Sequence, residues 1–128
     1  MQQHRKKILI ADDDPAILDV LMLFLEDAGY EVETTTNGET LRNFPNGYPD
    51  LLLLDIWMSG WNGQDICLAL KSQEATRHLP ILIVSANRET KHIACHAGAD
   101  DFLAKPFDLD DLLKKIEHFL TNMNTQDR

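Results

Sequence analysis

Five side chains able to do metal or phosphoryl chemistry stand directly behind apolar runs. Asp12 and Asp13 follow residues 7–11, Asp55 follows four leucines at 51–54, Ser85 follows 80–84, and Lys105 follows 102–104. A charge set against a run that must be buried needs a partner or a function. Carboxylates brought together repel one another unless a cation neutralises them, and oxygen donors suit a hard ion such as Mg²⁺. A lysine beside them adds a fixed positive charge, and a serine hydroxyl adds a small rotatable donor. Such a set can bind and stabilise a phosphoryl group. Alone, Asp12 to Asp14 would read as a solvated turn with a helix cap; the company of Asp55 and Lys105 shifts the balance to a site. Asp14 keeps the cap role, because Pro15 follows it.

The elements that must position these groups alternate along the chain. The run at 7–11 leads through Asp14-Pro15 into a helix with a core stripe of Ile17, Val20, Leu21, Phe24 and Ala28, closed by Gly29. Residues 30–35 alternate like a strand, and Asn37-Gly38 leads a short helix to Phe44. Past a Pro- and Gly-rich turn at 45–49, the leucine run reads as a buried strand ending at Asp55. Residues 62–74 predict a third helix, 80–84 a strand ending at Ser85, 87–96 a fourth helix stopped by Gly98, and 102–104 a last strand. Asp108 caps a final helix with the stripe Leu112, Ile116, Phe119 and Leu120; from Thr121 the tail is polar and expected to fray. Strands apolar on both faces imply a parallel sheet covered on both sides. The expected fold is therefore α/β: a three-layer, doubly wound, five-stranded parallel sheet, (βα)₅, with its functional crevice at the carboxyl ends of the strands.

The 128 residues predict a single domain with its core over about 5–120 and a polar tail at 121–128. The net charge of −9 argues against non-specific or direct nucleic-acid binding. No apolar run approaches membrane-spanning length and the N-terminal residues do not read as a secretory signal, so no membrane association and a cytoplasmic location are expected. Cys67 and Cys95 fall on different helices and are expected to be reduced. His92, Cys95 and His96 lack a convergent fourth ligand and read as surface residues.

The ordered set Ile8-Leu-Ile-Ala-Asp-Asp-Asp-Pro15, Leu53-Leu-Asp-Ile-Trp-Met58, Ser85-Ala86 and Lys105-Pro-Phe107 resembles the response-regulator receiver family, over residues 5 to 120. Gly63 and the stretch 97–102 fit the same pattern. The resemblance implies a flavodoxin-like switch of two-component signalling, in which Asp55 takes a phosphoryl group from a phosphohistidine of a sensor histidine kinase or histidine phosphotransfer protein. It implies Mg²⁺ bound by Asp13, by Asp12 mainly through water, by Asp55 and by the backbone carbonyl of Trp57. Lys105 would contact a phosphoryl oxygen, Ser85 would swing to hydrogen-bond it, and Phe102 would turn into the space that Ser85 leaves. The signalling face would then be the fourth helix, fifth strand and fifth helix, open to a downstream protein partner or a phosphorylation-dependent dimer. Ile17, Leu18, Met22 and Pro106 are candidates for docking the phosphodonor.

The chain departs from the family at three places. Ser59 stands where proline is usual, bulky Trp57 sits beside the phosphorylation site, where its indole would shield an acyl phosphate if folded over it, and the segment from Ser85 to Lys105 is short. Such a receiver catalyses its own phosphorylation and dephosphorylation and is not expected to turn over external substrates. One rival is a phosphorylation-independent interaction module that has kept the fold. Another is a Mg²⁺-dependent phosphatase; such enzymes in another α/β family place a second acid two residues after the nucleophile, where this chain has Trp57.

Overall fold

The computed structural model describes residues 5–58, 60–87 and 91–126, with side chains described through Thr121. In chain order the elements are β1 (Lys7–Ala11), α1 (Pro15–Asp27), β2 (Glu31–Thr35), α2 (Thr40–Asn43), β3 (Leu51–Asp55), β4 (Trp57–Met58), β5 (Trp61–Asn62), α3 (Gly63–Ser72), β6 (Ile81–Ser85), α4 (Lys91–His96), β7 (Asp101–Ala104) and α5 (Leu109–Gln126). Five strands form one sheet in the order β2-β1-β3-β6-β7, and every pairing within it is parallel. The central strand is the leucine run: Leu53 lies between Ile10 of β1 and Leu82 of β6.

Alternation along the strands divides the apolar residues between two faces. On one face Leu9, Leu52, Leu54, Ile81 and Ile83 pack with Ile66, Cys67 and Leu70 of α3 and Ala94 of α4. On the other, Ile8, Ile10, Leu51, Leu53 and Leu82 pack with Leu18, Leu21 and Leu25 of α1 and Leu112, Ile116 and Leu120 of α5. Parallel strands buried on both faces fit helices that cover each side.

Local chemistry sets where the helices start. Asp14 Oδ1 accepts the Ala16 amide at 3.0 Å with Pro15 in the first turn of α1, and Asn62 Oδ1 accepts the Gln64 amide at 2.8 Å to open α3. Gly29, at φ +104°, turns the chain after α1.

Several details depart from the sequence pattern. Val20 is 55% exposed, while Leu18, read as a docking residue, is 5% exposed and in the core. The stripe of α1 runs through Leu18, Leu21 and Leu25, which turns Val20 to the edge of the buried face. α3 ends at Ser72, before Glu74, and α2 ends at Asn43, where Phe44 takes a left-handed conformation. α5 continues through the polar tail to Gln126. The β4–β5 hairpin is absent from the sequence reading. Ser59, and residues 88–90 of the expected fourth helix, lie outside the described residues.

Among the described residues, no helix is long and apolar enough to cross a membrane. Cys67, buried in α3, and Cys95, exposed on α4, are both free thiols, and burial pushes the Cys67 thiol up to about 11.

Candidate functional site

The register of the sheet brings the polar strand ends together. β1 ends next to β3 with Ala11 beside Leu54, so Asp12 emerges near Asp55. Asp55 pairs with Val84 of β6, and Ser85 pairs with Ala104 of β7, one residue before Lys105. The Lys105 amide donates to the Ser85 carbonyl at 2.7 Å, which extends the ladder into the site.

Asp12 is 4% exposed and its carboxylate holds two contacts: Oδ1 accepts the Asp14 amide at 3.0 Å, and Oδ2 accepts Lys105 Nζ at 2.8 Å. The same ammonium lies 3.7 Å from Asp55 Oδ2. Asp55 Oδ1 accepts the Trp57 amide at 3.3 Å. Carboxylate oxygens of Asp12, Asp13 and Asp55 lie within 4.8 Å of one another. Among the described residues this is the grouping of His, Cys, Asp or Glu atoms close enough to share an ion; His92, Cys95 and His96 are exposed on α4 and do not form one.

Burial pushes the Asp55 carboxyl above the ordinary carboxylate range; Lys105 and the Trp57 amide pull it down, and the charges of Asp12 and Asp13 push it further up. Burial works against the charge on Lys105, but the hydrogen bond to Asp12 and the nearby acids outweigh it and hold its pKa above the ordinary lysine value. One lysine against three close carboxylates leaves excess negative charge. A compact, all-oxygen donor set with that excess fits a hard divalent cation such as Mg²⁺.

Ser85 is 1% exposed, and its Oγ accepts the Asn87 amide at 3.2 Å. Ser85 and Ile83 share one face of β6, and Phe102 pairs with Ile83, so Ser85 and Phe102 belong to the same face of the sheet. Phe102 is half-buried against the core on that face. Trp57 is 54% exposed, so its indole is mainly in solvent.

Next to Lys105 lies an apolar groove of about 590 Å³ between α1 and the start of α5, whose lining includes Ile17, Val20, Pro106, Phe107 and Leu109. Of the residues read as docking candidates, Ile17 and Pro106 line this groove and Leu18 and Met22 do not; Val20, which helical spacing alone placed in the core, does. Spacing separates Leu18 from Val20, since i and i+2 point to different sides of a helix, but does not say which of the two faces the core.

The fold is thus a doubly wound parallel sheet with acids, a hydroxyl and a lysine gathered at its strand ends. The model of the response regulator receiver domain matches residues 8–117, and the chain belongs to that family of two-component signalling proteins. It is 36% identical over 89% of its length to the DNA-binding dual master transcriptional regulator RpaA of Synechocystis, and 34% identical over 94% to the response regulator ArlR of Staphylococcus aureus. It spans about half of each relative's length, 48% and 55%. Among solved structures, a CheY-like receiver domain protein of Methanospirillum hungatei superposes with a TM-score of 0.84 at 33% identity, covering 96% of this chain and 99% of that one. The response regulator TrrA of Thermotoga maritima, in complex with Mg²⁺ and BeF, gives 0.80 at 31% identity, covering 89% and 98%.

Proposed function

We propose that this receiver takes a phosphoryl group onto Asp55 from a phosphohistidine of a sensor histidine kinase or histidine phosphotransfer protein, in a Mg²⁺-dependent reaction, and acts as a phosphorylation-controlled switch. The observation that carries the reading is the juxtaposition of Asp55 with Asp12, Asp13 and Lys105 at the carboxyl end of the sheet.

An Asp55 carboxylate oxygen attacks phosphorus, the bond from phosphorus to the imidazole nitrogen breaks, and that nitrogen leaves with the electron pair. The product is an acyl phosphate on Asp55 and a free histidine on the donor. Asp12, Asp13, Asp55 and the Trp57 carbonyl would hold Mg²⁺, which when bound offsets the charge of the carboxylates and phosphoryl oxygens. Lys105 would exchange part of its contact with Asp12 for a phosphoryl oxygen. The Ser85 hydroxyl would donate to another, giving up the Asn87 amide, and Phe102 would occupy the space it leaves on the shared face. The altered surface is that of α4, β7 and α5, where a downstream protein or a second copy would read it. The net charge of −9 supports a protein reader over nucleic acid. The solvent-facing Trp57 does not support a shield over the acyl phosphate in this state.

Intact-mass measurement after incubation with acetyl phosphate and Mg²⁺ should show a phosphorylated chain, and chelation of the metal with EDTA should abolish the addition. Labelling that is indifferent to EDTA would remove Mg²⁺ from the reaction. No labelling under any condition would favour the phosphorylation-independent module.

The groove beside Lys105 is the proposed docking place for the phosphodonor. Val20→Glu puts a charge on an already exposed position, so the fold should survive. Transfer from a histidine phosphotransfer domain that phosphorylates the wild type should slow by ~10-fold or more, as for an interface anchor worth over ~1.4 kcal/mol. Labelling by acetyl phosphate should be unchanged; equal slowing with both donors would remove the groove from docking.

A further inference from the structure

The path from Asp55 to α3 is folded as the β4–β5 hairpin, and its shape sets where the Trp57 backbone lies. The Trp57 amide donates to the Asp55 carboxylate, so a shift of the hairpin is felt at the phosphorylation site. On its inner side the hairpin is anchored by Ile56 and Met58, 0% and 5% exposed. Its return is packed tightly: the Gly63 amide donates to the Ile56 carbonyl at 2.7 Å, and a Cβ at Gly63 would come within 2.6 Å of Ile56 Cα and 2.8 Å of the Asp55 carbonyl oxygen.

The outer anchor is Trp61, which pairs with Met58 across the hairpin. Its indole lies so close to Gly38 that a Cβ there would come within 2.5 Å of Cγ and Cδ2. Gly38 has no positive φ, so what asks for glycine at this position is the ring. The Arg42 guanidinium stands over the same indole, 5.0 Å from its centroid, in cation–π contact. Gly38 and Arg42 belong to the turn and helix of α2, which follow the carboxyl end of β2. Trp61 thus joins two segments that, among the described residues, share no strand pairing.

We propose that Trp61 is a positioning residue for the phosphorylation site: seated on Gly38 and Arg42, it ties the β4–β5 hairpin to α2 and holds the Trp57 backbone where Asp55 and the cation need it. The proposal rests on the reading of Asp12, Asp13 and Asp55 as a Mg²⁺ site. A group outside the ligands that orients them acts on affinity, and its loss typically weakens metal binding. The ring needs shape more than its indole nitrogen, so phenylalanine should serve in its place.

The test is Mg²⁺ titration calorimetry on the full chain, together with amide exchange by NMR without metal. Trp61→Ala, and Gly38→Ala with the indole still present but displaced, should each weaken Mg²⁺ binding by ~10-fold, while Trp61→Phe stays close to wild type. In the metal-free protein the Trp57 amide should exchange faster in both weakened variants, while the Leu52 amide, bonded to the Pro80 carbonyl in the core of the sheet, keeps its protection. Unchanged affinity and unchanged Trp57 exchange in those variants would overturn the proposal alone. So would a loss of protection shared equally by Leu52, which would mark general destabilisation. A wild type that binds no Mg²⁺ would sink the cation-site reading and this proposal with it.

Discussion

Asp55→Asn should take no phosphate under conditions in which the wild type takes about one per chain, because the amide lacks the nucleophilic carboxylate oxygen. The neighbouring acids are not placed as Asp55 is. Asp12 is engaged by Lys105 and by the Asp14 amide, and Asp14 caps α1. Asp13 is exposed beside them and does not end a buried central strand as Asp55 does. Intact mass followed by peptide mapping measures this, and efficient labelling of the Asn variant would reject Asp55 as the acceptor.

The same substitution has a second expected effect, on stability. Burial and the neighbouring acids place the Asp55 pKa above its unfolded value. Between the two values the folded chain therefore binds more protons than the unfolded one, and stability falls as pH rises through that window. The ionised carboxylate thus lowers stability above the folded pKa, whereas the neutral Asn does not. In metal-free buffer Asp55→Asn should melt higher than wild type at neutral pH, and the difference should close as pH falls through the Asp55 pKa. A variant that melts lower at neutral pH would show that Lys105 and the Trp57 amide outweigh the burial and the repulsion. Added Mg²⁺ should raise the wild type more than the variant, since it supplies the neutralisation that Asn makes unnecessary.

Much of this site is legible in the sequence because the chemistry sits at strand ends, and strand ends are marked by a change from apolar to polar. The leucine run ending at Asp55 can be read as a central strand without any long-range knowledge, and so can the cap at Asp14-Pro15. The parallel order then follows from strands that are apolar on both sides. What the pattern does not carry is rotation about a helix axis. Ile17, Leu18, Val20 and Leu21 are all apolar, and only packing against β1 and α5 puts Leu18 inward and Val20 at the groove. The β4–β5 hairpin is invisible for a different reason: each strand has two residues, too few to show a period. Its Trp61 is held by Gly38 and Arg42, which are distant in sequence and individually unremarkable. The extension of α5 to Gln126 likewise follows no apolar stripe, since the residues past Thr121 are mainly polar.

Lys105→Ala should separate phosphorylation from signalling. In the structure the ammonium bridges Asp12 at 2.8 Å and Asp55 at 3.7 Å, so it already reports on both sides of the site. Its backbone amide, bonded to the Ser85 carbonyl, is untouched by the substitution, and β6 and β7 should stay in register. Without the side chain, Mg²⁺ still offsets part of the charge on the acids and on an incoming phosphoryl group, so acetyl phosphate should label the variant slowly but measurably. The lost element is the direct contact from β7 to the phosphoryl group, through which phosphorylation would bias Ser85 and Phe102. Phosphorylation of wild type should shift the amide resonances of α4, β7 and α5 and change affinity for the phosphodonor partner by about 10-fold, within the usual range of coupling between sites. In Lys105→Ala those shifts should be absent and the affinity change should fall below about 2-fold. If the phosphorylated variant shows the full set of shifts, the relay does not run through Lys105, and the Ser85 hydroxyl would have to carry it alone.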